Sequence, residues 1–69
     1  MTDLAISEAE KRLAAIEAVK WDDERAHSEE DKLCRFALEA IAAGQTDDPA
    51  ALAAVVLRTR KIEFARWCA

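Results

Sequence analysis

Apolar residues recur at helical spacing from the start of the chain. Ile6, Ala9, Leu13 and Ile16 fall at steps of three and four. The stripe ends at Lys20, whose aliphatic stem extends it while its ammonium stays in water. Leu4 and Val19 flank it, and Glu8, Lys11, Arg12 and Glu17 occupy the opposite face. Ser7-Glu8-Ala9-Glu10 has the form of a capping box, with Asp3 or Thr2 as an earlier start. The heptapeptide WDDERAH, residues 21–27, breaks the stripe but contains no Gly or Pro. The pattern therefore predicts a first helix over about residues 3–25 and a turn at 26–28.

A second start follows at Ser28, with Glu29, Glu30 and Asp31 in the first turn, where the helix dipole favours negative charge. Leu33, Cys34, Phe36, Ala37, Leu38, Ala40 and Ile41 then cover more than half of a helix over 29–43. One neighbour cannot satisfy so wide an apolar face. Gly44, the single glycine, falls where a left-handed residue ends a helix. Asp48-Pro49 opens a third helix over 49–60, with Asp48 as cap and Pro49 at the first helical position. Leu52, Val55, Val56 and Thr59 form its buried face, and Arg58, Arg60 and Lys61 sit at its negative end. Residues 62–69 read either as a short helix or as an extended piece. The expectation is a bend near Thr59–Lys61, then a short turn or helix whose Ile62, Phe64 and Trp67 cover the open side of the second helix.

The expected fold is thus all-α: a single three-helix domain over 1–69 with a short C-terminal segment packed on it. Composition sharpens this. Alanine dominates an apolar fraction of 52%, so the core is thin. A chain of 69 residues is marginal without a staple. Two cysteines, Cys34 and Cys68, without a CxxC or an N-terminal leader predict reduced thiols and a cytoplasmic protein. No apolar run approaches the roughly 20 residues of a membrane helix. A second copy of the chain is the expected staple, giving a homodimeric bundle.

Phe64 and Trp67 are half of the four aromatic residues. Trp67 reads first as a plug that completes the core. The alternative makes Trp67 a contact residue together with Arg66 and Trp21, because Trp and Arg are enriched in binding hot spots. The pattern formed by Ala26-His27-Ser28, Glu30-Asp31, Ala37 to Gly44, Asp48-Pro49, Thr59, Ile62, Phe64 and Arg66 to Ala69 resembles small proteins of proteobacterial phages and prophages. That resemblance implies no catalytic residues. It implies an accessory protein that binds and redirects a host protein.

Other chemistry has weaker support. His27 and Cys34 lack the pocket and orienting group of a nucleophilic enzyme, so no enzyme and no cofactor are expected. Glu24 and His27 form an E-x-x-H, the spacing used in di-iron bundles, but in the most polar stretch of the chain. A metal-binding dimer is therefore a distant alternative. The net charge of −4 disfavours nucleic acid, even though residues 58–69 hold four cations and one acid. The reverse reading makes Asp22, Asp23, Glu24, Glu29, Glu30 and Asp31 an acidic mimic of phosphates. The leading expectation is a non-enzymatic protein–protein interaction module acting on a host protein.

Overall fold

A computed structural model of the chain describes residues 3–64. Among them are three α-helices, α1 (Leu4–Ala18), α2 (Asp23–Ala42) and α3 (Pro49–Leu57), followed by a 3₁₀ turn at Arg58–Lys61. Each helix packs on the other two, and the 3₁₀ turn packs on α1 and α3.

Aspartate caps all three helices. Asp3 accepts from the Ala5 and Ile6 amides, Asp22 from Arg25 and Asp48 from Ala51. A short carboxylate satisfies the orphan N–H groups of the first turn. Helix α1 thus uses the earlier of its expected starts, Asp3, rather than the Ser7 capping box, and the start expected at Ser28 is corrected to Asp22. Ser7 and Ser28 lie inside α1 and α2, both exposed. The turn expected at 26–28 falls instead at Val19–Asp22, where the Asp22 amide donates to the Val19 carbonyl. The physical reason is the buried stripe of α2. Starting at Asp22 puts Ala26, Glu30, Leu33, Ala37 and Ala40 on one inward face, whereas a start at Ser28 would leave Ala26 outside it.

The C-terminus of α2 follows the expectation. Gly44 has φ 68°, its amide donates to Ile41 and the Gln45 amide donates to Ala40. These two bonds form a Schellman motif. Asp48 and Pro49 open α3 as expected. That helix is shorter than expected: the backbone tightens after Leu57 into the 3₁₀ turn.

The core holds Ala5, Ala9, Leu13 and Ile16 of α1, Ala26, Leu33, Ala37 and Ala40 of α2, Leu52 and Val55 of α3, and Ile62. Thr59 is buried beside them. Ile62 lines a groove with Leu13, Ala14 and Glu17 of α1 and belongs to the same buried cluster as Leu33 and Ala37 of α2. Phe64 packs on the core from the outside.

Asp3 also closes the fold at long range. Its second oxygen accepts from the Thr46 hydroxyl at 2.7 Å and from the Asp47 amide at 2.9 Å. One carboxylate therefore starts α1 and ties it to the loop that launches α3. The Thr46 hydrogen bond holds the Asp3 carboxyl below its ordinary value of 3.8. Partial burial opposes this, and the Ile6, Asp47 and Ala5 amides reinforce it. The lowered value means that the contribution of Asp3 is complete above the ordinary value and is lost as acid titrates the folded carboxylate.

Two outcomes follow for thermal and urea unfolding. Asp3→Asn melts lower than the parent at pH 7, and the gap narrows as pH falls through the range in which the folded Asp3 titrates; a gap that stays constant with pH would show that the charge is irrelevant. Gly44→Ala, forced into a left-handed conformation, loses about 1 kcal/mol, although the space around Gly44 would admit the methyl group.

Candidate interaction surface

The outer face of α3 poses the main question of the fold. Its sequence, PAALAAVVL, has no polar side chain. A helix that is apolar all round is normally buried all round. Yet Pro49, Ala50, Ala53, Ala54 and Leu57 are exposed, and Leu57 keeps 66% of its surface in water. On the adjacent flank of α2, Leu38 is 68% exposed and Ile41 38%. Leu38 and Ile41 were expected to be covered.

A groove of about 650 Å³ runs between these two helices. His27, Glu30, Asp31 and Cys34 of α2 form one wall, and Val56, Leu57, Thr59 and Arg60 form the other. Glu30 and Thr59 are buried at its base. His27 Nε2 is 3.7 Å from Asp31 Oδ1 one turn on. Burial pushes the Cys34 thiol up; the nearby charges of Glu30 and Asp31 add to the shift, and Arg60 opposes it. A raised thiol is a poor nucleophile at neutral pH, since the thiolate is the reactive form.

The expected site residues separate in space. Trp21, in the turn between α1 and α2, is 77% exposed. Arg66 and Trp67 lie outside the described residues. The six acids do not make one patch. Asp22 is spent as the cap of α2, with Asp23 and Glu24 in its first turn. Glu29 lies 3.4 Å from Lys32, Asp31 faces His27, and Glu30 points into the protein. Glu24 and His27 share α2, so the E-x-x-H is on continuous helix. Among the described residues no group of three or more His, Cys, Asp or Glu side chains is placed to hold a metal ion.

The cations at the end of the third helix, read from the sequence as complements of its dipole, lie in the 3₁₀ turn. Arg58, Arg60 and Lys61 are all exposed in the 3₁₀ turn. None of them forms an ion pair among the described residues. By contrast, Arg12 pairs with Glu8 at 2.9 Å and lies 5.0 Å above the Phe36 ring, which covers one side of the core. Also among the described residues, no helix is long and apolar enough to cross a membrane. No protein-family model matches the chain, and neither does any curated protein or solved structure.

Proposed function

We propose that this chain is a non-enzymatic protein–protein interaction module that works by presenting the exposed apolar strip of α2 and α3 to another polypeptide. The observation that carries the reading is Leu38, Ile41 and Leu57 standing in water beside a helix with no polar side chain of its own. Exposed apolar surface of this kind marks interaction sites in small soluble proteins. The exposed Trp21 is a second anchor, and Arg66 and Trp67 are further contact residues. The protonated thiol of Cys34 argues against covalent chemistry in the groove. The resemblance to phage accessory proteins makes a bacterial host protein, met in the cytoplasm, the partner of choice.

Capture from bacterial lysate tests this reading with the parent chain, Leu38→Glu and Trp21→Ala as baits. Both substitutions are at exposed positions, so they shift stability by no more than about 0.5 kcal/mol. A protein retained by the parent and lost by a variant of unchanged helicity supports the module. Identical captures by all three baits would contradict it.

A further inference from the structure

The outer face of α3 is self-complementary, and the geometry points to a second copy of this chain as its occupant. Along α3 the exposed residues run Ala50, Ala53, Ala54, Leu57. Consider two such helices packed antiparallel about a two-fold axis that passes between Ala53 and Ala54. Ala50 then meets Leu57 of the second copy, and Leu57 meets Ala50 in return. The bulky residue of each copy falls on the smallest residue of the other, and the alanines at the axis allow helix axes to approach to about 8 Å. Each contact occurs twice, as an isologous interface requires.

Charge supports the same register independently. Asp47 and Asp48 precede α3, and Arg58, Arg60 and Lys61 follow it. The antiparallel arrangement sets Asp47 of each copy opposite Arg60 of the other. Both residues are exposed, and neither side chain forms an ion pair among the described residues. A parallel arrangement would put acids on acids and cations on cations. The charges therefore select the antiparallel register, and the apolar face supplies the contact.

This pairing deepens the interaction reading by naming the occupant of the α3 face. It leaves the α2 flank, with Leu38 and Ile41, to a different partner. Sedimentation equilibrium of the purified full chain tests it. The parent is expected to shift from a monomer of 7.7 kDa toward twice that mass as concentration rises. Leu57→Glu stays monomeric. Asp47→Arg and Arg60→Asp each weaken the dimer at least tenfold, because each places like charges together at both ends. The double variant Asp47→Arg/Arg60→Asp recovers the parent behaviour, since the pairs form again with their signs exchanged. Circular dichroism confirms that each variant is helical. A parent that is monomeric throughout overturns the proposal, and so does a dimer that ignores Leu57→Glu or a double variant that fails to recover. The interaction reading itself fails separately, through the capture experiment with Leu38→Glu.

Discussion

Close contact between alanine-lined helix faces is the constraint on which the rest of this structure depends. Ala5 and Ala9 of α1 and Ala26, Ala37 and Ala40 of α2 are all buried. Side chains this small let the backbones approach, but each removes little apolar surface from water, and burial is worth only about 25 cal/mol per Å². The larger core residues, Leu13, Ile16, Leu33, Leu52, Val55 and Ile62, are therefore few and centrally placed. The ends of the bundle depend on polar links instead. Asp3 holds the start of α1 against the Thr46–Asp47 loop, and the Gly44 motif fixes where α2 stops.

A thin interior also explains why so much apolar surface faces outward. Three short helices give each helix two neighbours, and α3 has apolar side chains on every side. Its inner residues Leu52 and Val55 fill the core, which leaves Ala50, Ala53, Ala54 and Leu57 exposed among the described residues. Among the described residues, Leu38 and Ile41 on one flank of α2 are likewise exposed. The interaction reading and the two-fold pairing both follow from this mismatch between helix pattern and number of neighbours.

Helix ends set by local chemistry were legible in the sequence. Gly44 and Asp48-Pro49 are strong because their signals need only the residues beside them. The boundary between α1 and α2 was not legible. Two capping signals, at Asp22 and Ser28, compete there, and only tertiary burial of Ala26 decides between them. Glu30 misled for the same reason: an acid in an acidic run reads as exposed until the buried stripe rotates it inward. The wide apolar face of α2 was visible, but periodicity gives the width of a face and not what covers it, so the exposure of Leu38 and Ile41 emerged only from the packing.

The central claim is that one chain leaves an apolar helix face that a second copy covers. Partner binding to the folded state makes apparent stability depend on concentration. The thermal midpoint, measured by circular dichroism from the low micromolar range to several hundred micromolar, tests this most directly. The account predicts a midpoint that climbs steadily with protein concentration. A midpoint that is the same at both ends of that range would contradict it.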